Sequence, residues 1–204
     1  MKLKVCGMCE PRNIQEVSKL KPDFMGFIFY RPSPRFFKDD FSIPVTPGVD
    51  RVGVFVNETT EEILAKARLH ELKYVQLHGS ETVEQCLKLK SHNVLIIKVF
   101  SVADKIDFSL LKSYQAAVDF FLFDTKGKYF GGNASKFNWK LLDGYDLDTP
   151  FFLSGGVGPD DVEEIAALSH PKLYGIDVNS GVEASPGFKD VDKVKMIKNK
   201  LLKI

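Results

Sequence analysis

Eight short apolar runs recur along this chain of 204 residues, each followed by a loop and usually by an amphipathic stretch. The runs are nearly all apolar and do not alternate between apolar and polar residues, which is typical of strands buried on both faces. A parallel sheet buries its strands in this way because its crossover helices cover both faces. The sequence therefore predicts an α/β protein with strands at 3–6, 24–29, 51–56, 74–77, 94–100, 118–123, 151–153 and 173–178.

The helical stretches between these runs define the predicted architecture. Eight strands that alternate with helices indicate a single compact (β/α)8 barrel over residues 1–204, and a doubly wound open sheet is the alternative. Residues 41–48 contain two prolines and a glycine, so we expect the helix after the second strand to be missing or vestigial. Helices are predicted at 14–20, 61–69, 83–90, 103–116, 140–142, 160–168 and 191–202, of which the one after the sixth strand is short.

Charge and composition narrow the classes of function. The formal net charge is +1, so no overall field attracts nucleic acid or a membrane surface. No apolar run approaches the roughly 18 residues of a membrane helix, and the N-terminal segment lacks the apolar length of a signal peptide. The three cysteines are an odd number and give no disulfide framework. We therefore expect a cytoplasmic protein with reduced thiols.

A thiol and a carboxylate stand at the ends of two of the apolar runs. Cys6 ends the first run just before Gly7, and Asp124 follows the sixth run shortly before Gly127. Barrel enzymes carry their active sites at the carboxyl ends of the strands, so this pair suggests proton-transfer chemistry. Alternatively, Cys6 is a small buried apolar side chain and Asp124 is a cap or turn residue.

Other polar residues also interrupt the apolar strands near their ends. The two-residue period of a strand places Lys4 on the same face as Cys6, and Gln76 on the same face as His78. Lys98 and Asp177 complete this set of strand-end polar residues. Each of them, taken alone, is as well explained by a satisfied buried polar group.

Cys6 and Cys9 also form a C-x-x-C pattern, which raises the alternatives of a redox pair or half of a metal site. A zinc site needs a second pair of ligands, and Cys86 lies in predicted helical sequence without a cysteine or histidine at ligand spacing. We therefore expect no metal at these cysteines, and a thioredoxin-like pair is disfavoured because that motif normally opens a helix in a smaller domain.

Glycine-bearing turns follow the seventh and eighth predicted strands. The first contains Gly155 and Gly156, and the second contains Ser180 and Gly181 beside Asp177. Loops at these two positions form the phosphate site of many barrels, and glycines let backbone N–H groups approach an anion. After the second strand, Arg35 in a proline-stiffened loop could offer its guanidinium to a carboxylate.

In these segments the chain resembles the phosphoribosylanthranilate isomerases, the (β/α)8 enzymes of tryptophan biosynthesis. The similarity runs in the family's order over nearly the whole chain and is specific as a set. The matching segments are 4–7, 26–30 with 33–36, 51–57, 75–79, 123–126, 131–132 with 137–139, 153–156, and 177–183 with 186–187.

The resemblance implies an Amadori rearrangement of N-(5-phosphoribosyl)anthranilate, an aminoaldose, to an aminoketose, without metal or redox cofactor. It implies a phosphorylated small molecule as the only partner besides the chain itself, as a monomer or weak homodimer. The family's roles fall on Cys6 as general base, Asp124 as general acid, Arg35 facing the anthranilate carboxylate, and Gly155, Gly156, Ser180 and Gly181 at the phosphate, with Asp177 beside them.

The sequence departs from the family pattern in four places. Cys9 stands where threonine is frequent, the loop at 131–134 lacks a third glycine, Asn138 replaces a frequent aspartate, and the proline-bearing stretch 41–48 departs from the usual second helix. Two other interpretations remain: a different phosphosugar isomerase or epimerase on the same barrel, and a non-catalytic barrel that binds a phosphosugar.

Overall fold

Eight parallel strands close into a barrel in the computed structural model, which describes residues 1–38, 42–125 and 136–204. Each strand pairs with the next along the chain, and the eighth pairs with the first, where Lys4 lies opposite Asp177. This closure confirms the predicted (β/α)8 barrel and excludes the open sheet. The strands are β1 Lys2–Val5, β2 Phe24–Ile28, β3 Asp50–Phe55, β4 Tyr74–Leu77, β5 Leu95–Val102, β6 Phe120–Thr125, β7 Phe151–Leu153 and β8 Leu173–Val178.

Helices cover the outside of this barrel. Several begin at side-chain caps, such as Thr59, which accepts a hydrogen bond from the backbone N–H of Glu62. Short 3-10 turns lie at Gln115–Ala117, Trp139–Gly144, Pro159–Asp161 and Ser180–Val182, and a small antiparallel ribbon joins β9 Glu183–Ser185 to β10 Phe188–Lys189. The α-helices are α1 Pro11–Ser18, α2 Thr60–Leu69, α3 Val83–Lys90, α4 Phe108–Tyr114, α5 Val162–Ala167 and α6 Val191–Leu201. None of these helices is both long and apolar enough to cross a membrane.

The two unusual crossovers agree with the sequence. Between β2 and β3, residues 29–38 and 42–49 form turns and a bridge from Ile28 to Phe36 but no helix, while Phe41 lies outside the described residues. In the crossover after β6, the described residues 136–150 form the 3-10 turn Trp139–Gly144 and no α-helix, and the Trp139 ring is buried in the core. The chain therefore covers these two sides of the barrel with loops and aromatic side chains.

Several element boundaries differ from the prediction by one to five residues, and the differences in α4 and β6 are the most informative. The helix predicted at 103–116 begins only at Phe108, because the Asp107 carboxylate accepts hydrogen bonds from the backbone N–H groups of Ser109 and Leu110 and ends the preceding loop. The sixth strand continues to Thr125, so Asp124 lies within the strand. That position fixes the backbone of Asp124 more firmly than a turn would.

Aromatic and aliphatic side chains fill the lower interior of the barrel. The Phe24 ring makes edge contacts with Tyr74 and Phe152, with ring centroids 5.2 and 5.4 Å away. The next inward-facing positions along the strands include Gln76 and Asp124, and both are buried. The apolar layer therefore forms a closed base beneath a polar layer at the carboxyl ends of the strands.

Candidate active site

A cleft opens at the carboxyl ends of the strands, directly above the closed interior of the barrel. Cys6 and Asp124 both line it, and each residue is 4% exposed. The structure therefore brings the thiol after β1 and the carboxylate of β6 to one cavity, although β7 and β8 lie between those strands in the ring. The other lining residues are Ile28, Tyr30, Ser33, Val54, Val56, Gln76, His78, Ser154, Gly155, Gly156, Asp177, Asn179 and Ser180.

The barrel holds Cys6 by its backbone and leaves room for its sulfur. The Cys6 N–H donates to the carbonyl of Val178 at 2.8 Å, which extends the pairing of β1 with β8. On the other side lies Gly26, where a Cβ would come 2.7 Å from the Cys6 Sγ and 3.2 Å from the Lys4 Nζ. A glycine is therefore needed on β2 for the thiol and the ammonium to occupy this space.

Lys4 is a wholly buried cation beside the thiol. Its ammonium lies 2.9 Å from the Asp177 Oδ1, and it lies close enough to the Cys6 side chain for the two groups to affect each other's pKa. Burial alone favours the neutral amine, but Asp177 and Cys6 outweigh it, so the pKa of Lys4 is raised above its ordinary value. The ammonium therefore remains charged over the pH range in which a thiol titrates.

The charges around Cys6 act on it in opposite directions. Burial raises the pKa of the Cys6 thiol, and the Asp177 carboxylate raises it further, while Lys4 and Lys189 lower it. Burial also raises the pKa of Asp177, which Lys4 counteracts. The free protein therefore holds a thiol at Cys6, with Lys4 as the principal group that favours the thiolate.

Asp124 is fixed on the other side of the cleft. Its Oδ1 accepts a hydrogen bond of 2.9 Å from the Thr125 N–H, and its Oδ2 lies 3.4 Å from the Nε2 of His78. His78 follows β4, so a side chain from two strands away in the ring meets the carboxylate that β6 supplies. These contacts leave Asp124 in one orientation at the cleft wall.

The turn after β7 has a backbone conformation that favours glycine. Gly155 and Gly156 adopt φ angles of +95° and +69°, which favour glycine, and a Cβ on Gly155 would come 2.8 Å from the Thr125 nitrogen. Both glycines and Ser180 line the cleft. Gly181 does not line it among the described residues, but packs against the backbone of Val157 and so joins the two turns.

Arg35 is not among the residues that line the cleft; it lies beside Gly7 and is bound to a carboxylate of the chain itself. Its Nε and Nη2 donate to the two carboxylate oxygens of Glu183 at 2.8 and 2.7 Å. The Arg35 Cδ also comes within 2.9 Å of the point where a Cβ on Gly7 would lie, next to Cys6. The guanidinium is therefore held beside the cleft by the ribbon that follows β8.

Lys189 belongs to the same network, and no pattern in the sequence indicates a role for it. Its buried ammonium donates to the Glu183 Oε1 and to the Asn179 Oδ1, each at 2.6 Å.

The sequence indicates some of the other cleft residues. The strand pattern points to Gln76 and His78 without assigning them a role, and Ser154 could have been inferred from its place before the glycine turn. Tyr30, Ser33 and Asn179 carried no separate signal in the sequence.

Two other sequence candidates have structural roles instead. The Lys98 ammonium pairs with buried Glu81 at 2.8 Å and donates to the carbonyls of Leu77 and Gly79, so it supports the loop after β4. The Cys9 thiol donates to the Arg35 carbonyl at 3.1 Å, and burial raises the pKa of Cys9 to about 11. Over residues 1–38, 42–125 and 136–204 no group of three or more possible metal ligands is found.

Comparison with known proteins identifies the family to which this cleft belongs. The family model for N-(5′-phosphoribosyl)anthranilate (PRA) isomerase matches residues 3–200. The N-(5′-phosphoribosyl)anthranilate isomerase of Parabacteroides distasonis is 45% identical over 202 residues, which cover 96% of this chain and 90% of the relative.

Solved structures agree with the sequence match. A phosphoribosylanthranilate isomerase in complex with reduced 1-(o-carboxyphenylamino)-1-deoxyribulose 5-phosphate superposes with a TM-score of 0.85 at 33% identity, over all of both chains. A monomeric form of the dimeric enzyme from Thermotoga maritima gives the same TM-score, identity and coverage. With the family model, these matches show that the chain belongs to the N-(5′-phosphoribosyl)anthranilate isomerase family and is an enzyme of tryptophan biosynthesis that isomerises phosphoribosylanthranilate.

Proposed function

We propose that Cys6 is the general base and Asp124 the general acid of this isomerisation. The observation that carries the proposal is their common position: both side chains line one cleft at the mouth of the barrel. A rearrangement that moves one proton from carbon and delivers another to oxygen needs one base and one acid within reach of one substrate. It needs no metal or redox step.

The steps follow from these two roles. Asp124 donates a proton to the ring oxygen of the sugar, the ring opens, and the anthranilate nitrogen forms an iminium ion with C1′. The positive nitrogen acidifies the neighbouring C–H bond, and the Cys6 thiolate removes the C2′ proton to give an enolamine. The enolamine then tautomerises to the ketone of the product.

Lys4 favours the ionised, thiolate form of Cys6 in this mechanism. A free cysteine is only a few per cent ionised at neutral pH, and burial raises the pKa of Cys6 further. The Lys4 ammonium, held in position by Asp177, lowers the pKa of the Cys6 thiol through its positive charge. Lys4 is therefore a positioning and charge-stabilising residue for the base.

We expect Lys4→Met to move the pH dependence of kcat/KM to higher pH. A thiolate base makes kcat/KM rise with pH up to the pKa of the thiol, and the variant loses the largest influence that lowers that pKa. The thiolate absorbance in the ultraviolet, measured in a Cys9→Ser, Cys86→Ser background, should shift in the same direction. Lys2→Met, on the exposed end of β1, is the control. If the pH profile of kcat/KM were unchanged in folded Lys4→Met, Lys4 would not be the residue that favours the thiolate.

The phosphate and the anthranilate carboxylate, at opposite ends of the substrate, each have a complementary group in or beside the cleft. The turns with Gly155, Gly156 and Ser180 hold the phosphate, and Gly181 packs the second turn against the first. Arg35 faces the anthranilate carboxylate: Glu183 engages one N–H of Nε and one of Nη2, which leaves three of the five guanidinium donors for the substrate. Asp177 lies below these groups and fixes Lys4.

We expect Arg35→Ala to raise KM by about 10- to 100-fold with a much smaller change in kcat. A hydrogen bond to a charged group contributes about 1.5–3 kcal/mol, and it is lost alike in the ground state and the transition state. Steady-state kinetics measures the effect, and Arg31→Ala, the exposed arginine of the same loop, is the matched control. An unchanged KM in Arg35→Ala would show that the carboxylate is bound elsewhere.

The remaining expectations concern the whole molecule. We infer that residues 1–204 act as one (β/α)8 unit in the cytoplasm on a phosphorylated small molecule, with nucleic acid and membranes uninvolved. A monomer or weak homodimer fits the relative from Thermotoga maritima, which occurs as a dimer and in a monomeric form. A fluorescence assay of phosphoribosylanthranilate consumption, with sedimentation at several protein concentrations, tests the substrate and the assembly together.

A further inference from the structure

We propose that Gln76, at the base of the cleft, binds a hydroxyl of the substrate's sugar through its amide oxygen. This inference rests on the proposed placement of the substrate between Cys6, Asp124 and the glycine turns. It adds a recognition element for the sugar itself, distinct from the groups proposed for the phosphate and the carboxylate.

The amide oxygen of Gln76 is buried without a donor. Gln76 is 1% exposed, and no described residue donates a hydrogen bond to its Oε1. Its neighbours across the sheet are Val54 on β3 and Ile97 on β5, whose side chains carry no polar atom. The surroundings that the fold supplies therefore leave the oxygen unsatisfied.

A buried polar atom in this state destabilises the folded protein. Buried side-chain acceptors nearly always have a partner, and an apolar residue of similar shape would remove the desolvation cost altogether. The buried Lys4, Lys98 and Lys189 ammonium groups of this barrel all have acceptors at hydrogen-bonding distance. The Gln76 oxygen is thus an exception that a bound ligand would satisfy.

The position of Gln76 specifies what kind of group would reach it. Gln76 lines the same cleft as Cys6 and Asp124, on β4 and two residues before His78, which follows that strand. A phosphosugar held by its phosphate at the glycine turns, with its reacting carbon at Cys6, spans the space over this base. The groups that such a sugar presents there are hydroxyls, and a hydroxyl is a hydrogen-bond donor that fits the amide oxygen.

Binding of an unreactive ligand tests the proposal separately from the chemistry. The probe is reduced 1-(o-carboxyphenylamino)-1-deoxyribulose 5-phosphate, titrated into the wild type and into Gln76→Leu by calorimetry. We expect about 10-fold weaker binding of the probe, unchanged binding of inorganic phosphate, and a Tm that is equal to or higher than that of the wild type. Ile97→Leu, which conserves volume at the neighbouring position, should change neither affinity.

The outcomes are distinct from those for the catalytic roles, because the probe binds without reacting and needs no proton transfer. Gln76→Met serves as the second variant if Gln76→Leu does not fold. Unchanged probe affinity with a lowered Tm would show that Gln76 is a structural residue satisfied by a buried water, and would overturn the proposal. Equal loss of probe and phosphate affinity would also overturn it, because the change would then have disturbed the whole cleft.

Discussion

Replacing Cys6 with serine is expected to lower kcat by about 10²–10⁴-fold while the fold is retained. Serine has nearly the same size and can sit in the space that Gly26 leaves, so the backbone bond from Cys6 to Val178 persists. Its hydroxyl, however, does not ionise near neutral pH, even with the Lys4 ammonium beside it. The active site therefore loses its base and keeps its shape.

Steady-state kinetics with purified protein measures this loss, and thermal unfolding checks the fold. Cys9→Ser is the matched control, because Cys9 is a second thiol three positions away whose hydrogen bond goes to the Arg35 carbonyl. We expect its kcat to stay near that of the wild type. A kcat of Cys6→Ser close to that of the wild type would show that the Cys6 thiolate is not the base of the reaction.

Replacing Asp124 with asparagine is expected to have an effect of similar size, about 10²–10⁴-fold in kcat. The amide oxygen of asparagine can still accept the hydrogen bond from the Thr125 N–H, so the strand end is preserved. The amide cannot deliver the acid proton that opens the sugar ring. The loss therefore falls on ring opening, while the base remains in place.

The control for this variant is Asp119→Asn, which changes the other aspartate of the same segment at the far end of β6. Asp119 pairs with Lys90 and accepts from the Ile96 N–H, outside the cleft. We expect its kcat to be unaffected. If Asp124→Asn turned over as fast as the wild type, another group would have to supply the proton.

The order of the strands and the positions of Cys6 and Asp124 at strand ends could be predicted because each depends on local sequence. The apolar runs predict the limits of the strands to within a few residues, and Cys6 and Asp124 lie where two of those runs end. The limits of α4 and β6 were less accurate, since they depend on a cap at Asp107 and on pairing with β5 and β7. Local pattern carries no information about those contacts.

Pairs of residues far apart in the chain could not be predicted in the same way. Lys4 lies 173 positions from Asp177, and Arg35 lies 148 positions from Glu183, yet each pair is in hydrogen-bond contact. The strand pattern indicated Lys4 and Asp177 as strand-end polar residues, but only closure of the ring makes β1 and β8 neighbours. The sequence predicts that Arg35 offers its guanidinium to a carboxylate of the substrate. The structure shows that two of its N–H donors are bound by Glu183.

Kinetics with phosphoribosylanthranilate deuterated at C2′ test the division of roles between Cys6 and Asp124 most directly. In Cys6→Ser, removal of the C2′ proton limits the rate, so we predict a large primary isotope effect on kcat. In Asp124→Asn, ring opening limits the rate and precedes that step, so kcat should be nearly insensitive to the deuterium. An isotope effect that is large in Asp124→Asn and absent in Cys6→Ser would contradict the assignment of the base and the acid.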